Sequence, residues 1–401
     1  MNIVLHLTAS SVFYLLLVEL GNSRALSFLF SLLYVVHPAL VQAVAWIPGR
    51  NDTLLGIFVF SSFLFFVKFA RRGKWTHGFW HLSFFVLAIF TKETALALLL
   101  VCPLYILLVA GKKLSLSSYG VLSLCWVVTV GGWAVLRAQA VTPLRYNTVR
   151  AMIHSAWISL PSVIQYLGKA VFPFNLSVVP IRRDTTYVWG ILAAVGLAAA
   201  LTFSKNKRMS RVLFGLLFFL IFLLPSLMLA ASRQAVSLVL LEHRLYLPLL
   251  GLILVVLETD LAKKWVKDVR LSKVAVVLVF LPFVLLATLH SRDFRDEASF
   301  WDNALKNSPH AAFVHTAIAQ TLDERGRRAE SIEELRKALE LNPYEFAALV
   351  NLSTQDITKG AYDEAEALLT RALAEEPGNP ELKKNLLATL DHVRTIKNRR
   401  N

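Results

Sequence analysis

The residues able to do chemistry in this chain gather in short polar clusters: His37-Pro38 with Gly49-Arg50-Asn51-Asp52, then Thr91-Lys92-Glu93-Thr94, then Glu242-His243-Arg244-Leu245-Tyr246-Leu247-Pro248. Each mixes charges of both signs beside an apolar run. Ionisable groups at the edge of hydrocarbon are costly unless they pair or face a wet cavity. One such cluster reads as interfacial anchoring and mutual salt bridging; three on one face of a membrane read as a polar site between helices.

The elements that position these clusters are membrane helices. Of 401 residues, 56% are hydrophobic, and mean hydropathy is positive, which points to apolar blocks rather than a soluble domain. The runs 53–67, 95–110, 212–229 and 274–289 carry no charge. Spans are predicted at 3–20, 25–43, 53–70, 77–90, 94–110, 118–137, 186–203, 212–231, 245–260 and 273–290, about ten helices of roughly bilayer-spanning length. Cys102 and Cys125 sit inside such runs and read as small buried hydrophobes, not as a disulfide or metal site.

The net charge of +15 belongs to loops. Alternate loops hold Arg24; Lys68, Arg71, Arg72 and Lys74; Lys112 and Lys113; Lys205, Lys207, Arg208 and Arg211; and Lys263, Lys264, Lys267, Arg270 and Lys273. The positive-inside rule makes these loops cytoplasmic and places 37–52, 91–94, 137–186, 231–244 and everything after His290 on the other side. The middle of the long segment near 139–185, residues 153–172, is predicted to lie in the interface or re-enter it. The same parity puts Met1 outside, as though a preceding helix and its outer loop were lacking.

After a membrane domain over 1–290, residues 291–401 turn charged, alanine-rich and repetitive. Ala304, Ala338 and Ala372 recur 34 residues apart, as do Pro309, Pro343 and Pro377, and Gly326 with Gly360. That period, with small residues at helix crossings and Pro closing the second helix, is the tetratricopeptide pattern. Two units, 311–344 and 345–378, follow a half unit and precede a terminal helix. Such an array holds a partner or acts as a spacer against the membrane domain.

The ordered set of His37-Pro38, Ala45 to Asp52, Lys92-Glu93-Thr94, Phe172 to Ser177 and Glu242 to Pro248, followed by the repeats, resembles the transmembrane and tetratricopeptide-repeat-containing protein O-mannosyltransferases and their bacterial relatives over nearly the whole chain. The resemblance implies an all-α, polytopic bundle of the GT-C glycosyltransferase class with a C-terminal tetratricopeptide solenoid on the non-cytoplasmic side. It implies transfer of a sugar, mannose by analogy, from a polyprenyl-phosphate donor to a protein or glycan hydroxyl, the acceptor presented near the repeats. No metal or cofactor is implied beyond the lipid-linked co-substrate.

On this reading Arg50, Lys92 and Arg244 hold the donor phosphate, because charge develops on the leaving oxygen and Arg can grip phosphate with two parallel N–H groups. Asp52 and Glu93 organise the site, and His37, Asn51, Glu242 and Tyr246 support it. The catalytic acid of this class sits in the first outer loop, which the chain reads as lacking, since the His-Leu-Thr that opens the second helix of such relatives stands here at His6-Leu7-Thr8. The catalytic residue is therefore unassigned. A bacterial inner membrane with the repeats in the periplasm is expected, or the endoplasmic reticulum membrane with the repeats in the lumen.

The rival reading is a non-catalytic membrane scaffold whose repeats recruit a partner. A transporter lacks support, because no paired interrupted helices mark the midplane. No nucleotide-binding loop or metalloprotease motif occurs, and the basic loops lack the interleaved aromatics of a nucleic-acid face.

Overall fold

The computed structural model describes residues 1–111, 114–140, 148–228, 239–267, 274, 276–375 and 379–400. Lys112, Lys113, Arg270, Lys273 and the repeat landmark Pro377 lie outside the described residues, as does most of the 231–244 segment. Among the described residues the architecture is all-helical, with one isolated antiparallel bridge, Ile181 to Val239.

The bundle comprises α1 (Asn2–Glu19), α2 (Arg24–Val35), α3 (Val41–Ala45), α4 (Arg50–Arg72), α5 (Trp75–Thr91), α6 (Leu98–Leu108) and α7 (Leu116–Ala140). It continues through α8 (Val149–Ser159), α9 (Ser162–Val171), α10 (Val188–Phe203), α11 (Met209–Leu227), α12 (Pro248–Leu257), α13 (Asp260–Lys267) and α14 (Leu281–Ser291). Among the described residues, 5 helices are long and apolar enough to cross a bilayer, and the pair Arg24–Val35 and Pro38–Ala45, bent by 55°, adds a sixth. The protein is a multi-pass integral membrane protein.

This differs instructively from about ten continuous spans. The run at 25–43 breaks because Pro38 lacks an N–H and disfavours helix in the residue before it. The run at 94–110 is shortened because Lys92 is extended (φ −162°, ψ 137°), ending α5 before the tight turn Glu93–Ala97. The predicted interfacial stretch is two short helices, α8 and α9. Helices break at the polar clusters, and those breaks deliver charged side chains to one place.

Aromatic rings fill the centre: Phe13, Phe60, Phe63 and Phe66 are fully buried, Phe13 stacking on Tyr34 at 4.6 Å. The buried His81 of α5 donates from Nδ1 to the Ser62 carbonyl of α4 (3.0 Å) and accepts the Trp126 indole N–H of α7 at Nε2 (3.0 Å), so one neutral ring ties three helices. At one end of the bundle, buried Glu258 takes Arg208 and Arg211 at 2.9 and 3.1 Å, and Glu19 takes Arg72 at 3.1 Å.

Helices α11 and α12 cross backbone to backbone. A Cβ on Gly251 would stand 2.4 Å from the Gly215 carbonyl oxygen and 2.6 Å from the Phe219 nitrogen. Small residues permit this approach, and with it the dispersion contacts that hold helices together in lipid. Gly251→Val is therefore expected to lower the thermal unfolding midpoint of the detergent-solubilised protein by several degrees; an unchanged midpoint would contradict this crossing.

The C-terminal helices are α15 (Glu297–Asn307), the pairs α16 (Ala312–Glu324) with α17 (Arg328–Leu341) and α18 (Phe346–Lys359) with α19 (Tyr362–Ala374), and α20 (Pro380–Arg400). Ala304, Ala338 and Ala372 are each fully buried, as close helix crossings require, and Gly326 and Gly360 adopt left-handed φ of +75° and +79° where each pair turns. The array seats on the segment after α9: Val178, Ile181, Ala304, Ala311 and Val314 share one apolar cluster, and the two oxygens of Asp184 take the His310 N–H and Nδ1 at 3.0 and 2.6 Å.

Candidate active site

A cavity of about 550 Å³ lies where the breaks converge, with Asp52, Lys92, Glu93, Arg137, His243 and Arg244 supplying its charged and titratable lining. Asp52 occupies the first turn of α4, where a carboxylate faces the positive end of the helix dipole. Its Oδ1 accepts Lys92 Nζ at 2.7 Å, and its Oδ2 stands 3.8 Å from His243 Nε2. Arg137 reaches Glu93 at 3.6 Å and lies over the Trp133 ring at 5.3 Å. Arg244 is aimed by a hydrogen bond from its guanidinium to the Val239 carbonyl (3.0 Å). Among the described residues, three cations against two carboxylates leave the lining one positive charge in excess.

The opposite wall is apolar and adjoins a second concavity of about 850 Å³ between α6, the start of α7 and α11, lined by Leu99, Pro103, Leu107, Leu116 and Tyr119. Leu100 and Ile221 line both spaces. A charged chamber thus lies beside a greasy groove.

The turn Glu242–Leu245 that carries His243 and Arg244 is anchored from below. Glu242 is fully buried; its Oε1 accepts Lys169 Nζ at 2.7 Å and the Ser177 N–H at 3.0 Å. Its Oε2 lies 3.2 Å from His290 Nε2, close enough for an ion contact though off hydrogen-bond alignment. Burial pushes the Glu242 carboxyl up, but Lys169 and then His290 more than offset it and hold the group below the ordinary carboxylate range. Behind the turn, Tyr246 donates its hydroxyl to His6 Nδ1 (2.8 Å), because His6 Nε2 must donate to the Val35 carbonyl (3.1 Å). A Cβ on Gly56 would meet the Tyr246 ring at 2.3 Å, so α4 lies directly against it.

The structure brings Asp52, Lys92, Glu93, Arg244 and Tyr246 to this cavity and leaves other candidates elsewhere. Arg50 is exposed, donates from Nε to Asn2 at 3.0 Å and does not line the chamber. The reason is helical phase: residues two apart on a helix face opposite ways, so Arg50 cannot share the face of Asp52. Asn51 is likewise exposed. His37 bonds the Ala170 carbonyl at 3.0 Å and braces α9, and Glu242 acts beneath the site rather than in it. The lining adds Arg137 and His243, neither of which stood out alone in the sequence.

The chain is 26% identical to Protein O-mannosyl-transferase TMTC1 of Homo sapiens over 413 residues, covering 88% of this chain and 46% of that protein. It is 27% identical to Homo sapiens TMTC4 (76% of this chain, 48% of the relative) and 22% identical to Tmtc3 of Drosophila melanogaster (87% and 44%). Its curated homologues are TMTC O-mannosyl-transferases. The chain spans about half the length of these O-mannosyl-transferase relatives. No family model and no solved structure matches the chain.

Proposed function

We propose that this chain is a membrane glycosyltransferase that moves a sugar, mannose by analogy with its relatives, from a polyprenyl-phosphate donor to a protein or glycan hydroxyl. The observation that carries the reading is the adjacency of the two spaces, which share Leu100 and Ile221 in their linings. A polyprenyl-phosphate sugar is a phosphodiester with one negative charge on a long apolar tail. The excess positive charge of the chamber matches the first, and the groove between α6, α7 and α11 matches the second. Lys92, Arg137 and Arg244 would stabilise the phosphate as it leaves, and water would be excluded by the apolar wall.

The cavity end is proposed to be non-cytoplasmic. The arginines gathered at Glu19 and Glu258 mark the other end, in keeping with the positive-inside rule. The helix pairs seated on the segment after α9 would then present the acceptor on the same side, in a periplasm or a lumen.

Reconstitution of the full chain in liposomes tests the reading directly. With undecaprenyl-phosphate mannose and a threonine-containing peptide, labelled mannose is expected on the peptide, and none when a nucleotide-linked mannose replaces the lipid donor. Transfer from the nucleotide donor, or none from a panel of polyprenyl-phosphate sugars, would overturn it.

A further inference from the structure

We infer that the polar cleft between the segment after α9 and α15 is the acceptor subsite, and that it takes an extended peptide with an acidic side chain near the receiving hydroxyl; the inference rests on the proposed glycosyl transfer.

The cleft is a space of about 330 Å³, with Asn175, Ser177, Asp184 and Thr185 on one wall and Lys306 and Asn307 on the other. That lies at the small end of the ~300–1,000 Å³ typical of ligand sites. Its walls are held from behind. Ser308 donates its hydroxyl to the Val179 carbonyl at 2.7 Å, and Asn303 Oδ1 receives the Val178 N–H at 3.0 Å. Both oxygens of Asp184 are occupied by His310.

The groups on the cleft surface are not so engaged. Among the described residues, neither the Asn175 side-chain amide nor Lys306 Nζ has a hydrogen-bond or ion-pair partner, and Asn307 bonds only the Asn303 carbonyl, through Nδ2 at 3.1 Å. Free amides suit the alternating N–H and C=O groups of a peptide backbone, because each offers both a donor and an acceptor. With Asp184 committed to His310, Lys306 is the charge left to choose a ligand, and it selects a carboxylate. Among the described residues no aromatic ring lines the cleft, so a sugar ring would find no flat apolar face to lie against. A peptide fits this lining better than a glycan.

The cleft stands next to the chamber. The Ser177 N–H donates to Glu242, the residue before His243. Gln42 spans the same gap, donating from Nε2 to the Val178 carbonyl at 2.7 Å while its Oε1 receives the His243 N–H at 3.0 Å. Residues 177–178 therefore touch α15 on one side and the turn bearing Arg244 on the other. The Trp46 ring lies 6.1 Å from that of His243 and 6.3 Å from that of Phe300 in α15, which sets the first helix of the array beside the same turn. An acidic residue in the cleft and a hydroxyl in the chamber are thus separated by a short stretch of one chain.

The test uses the full chain in liposomes with saturating undecaprenyl-phosphate mannose and threonine peptides in which one position, walked along the chain, holds glutamate, glutamine or lysine. At one or two neighbouring positions, the wild-type KM for the glutamate peptide is expected to be lower than for the lysine peptide by roughly threefold or more, a difference that shrinks with added salt. Lys306 is exposed and unpaired, so its variants keep the fold. Lys306→Gln should erase the preference and Lys306→Glu should reverse it, the change falling on the KM of the peptide and not on that of the donor. A preference unaltered in Lys306→Glu, no charge preference at any position, or transfer to a free glycan but to no peptide would overturn the inference and leave the glycosyltransferase reading standing. Absence of transfer by wild type with every lipid donor sinks both, and is recognised before any variant is compared.

Discussion

Lys92→Met is expected to lower sugar transfer by ~10²–10³-fold, the usual loss when one preorganised charge is removed from a developing anion. The ammonium has two tasks. It neutralises Asp52, which is 6% exposed, and it adds positive charge to the chamber. Removing it therefore strands a buried carboxylate, which costs about 3–5 kcal/mol when one partner of a buried pair is lost, less here because the lysine end is partly solvated. Lys92→Met alone should thus be both less stable and inactive. The pair Lys92→Met with Asp52→Asn separates the tasks: thermal stability should return toward wild type while transfer stays low. Recovery of transfer along with stability would show that Lys92 serves Asp52 alone.

The membrane helices were legible because their signal is bulk hydropathy, and the repeats because Ala304, Ala338 and Ala372 need only a constant spacing. All three are fully buried. The helix breaks were less so. Pro38 lies inside a run whose average hydropathy hides a single interrupting residue, and the tight turn Glu93–Ala97 takes up the start of the run at 94–110, so the long spans expected there are bent or short in the structure. Within the site, the clusters containing Asp52, Lys92 and Arg244 were visible as charges beside hydrocarbon, but neighbourhood in sequence misplaced Arg50, which the helix turns away from its neighbour Asp52. Gln42 and Lys169 could not be found that way. Gln42 meets His243 across 201 residues and Lys169 meets Glu242 across 73, and nothing local in either segment marks the pairing. Arg137 reads as the edge of a loop, although a lone arginine at the end of an apolar helix, four residues after Trp133, also signals a cation–π pair at a cavity wall.

The second large effect is expected at Glu242. Glu242→Leu removes the partner of Lys169, whose side chain is 3% exposed and whose other contact is the Asn175 carbonyl at 3.5 Å. An unpaired ammonium at that depth costs about 3–5 kcal/mol, enough to unfold a marginal domain. Lys169→Met should hurt comparably, since it leaves the carboxylate facing His290 alone. Replacing both at once should restore much of the stability, because apolar residues often substitute for a buried ion pair at little net loss. Transfer should not return with it. The turn that carries His243 and Arg244 would have lost the carboxylate that receives the Ser177 N–H, and a displacement near 1 Å in a reacting group can lower a rate ~100-fold. The sign of the pH effect is fixed as well. A carboxyl held low in the folded state contributes stability that is complete above its unfolded value, near ~4.3, and lost as pH falls through the folded one. The deficit of Glu242→Gln, measured by thermal unfolding in detergent, should hold steady from about pH 6 to 5 and narrow in acid below about pH 4. A deficit that instead vanished between about pH 7 and 6 would place the controlling proton on a histidine and not on this carboxylate.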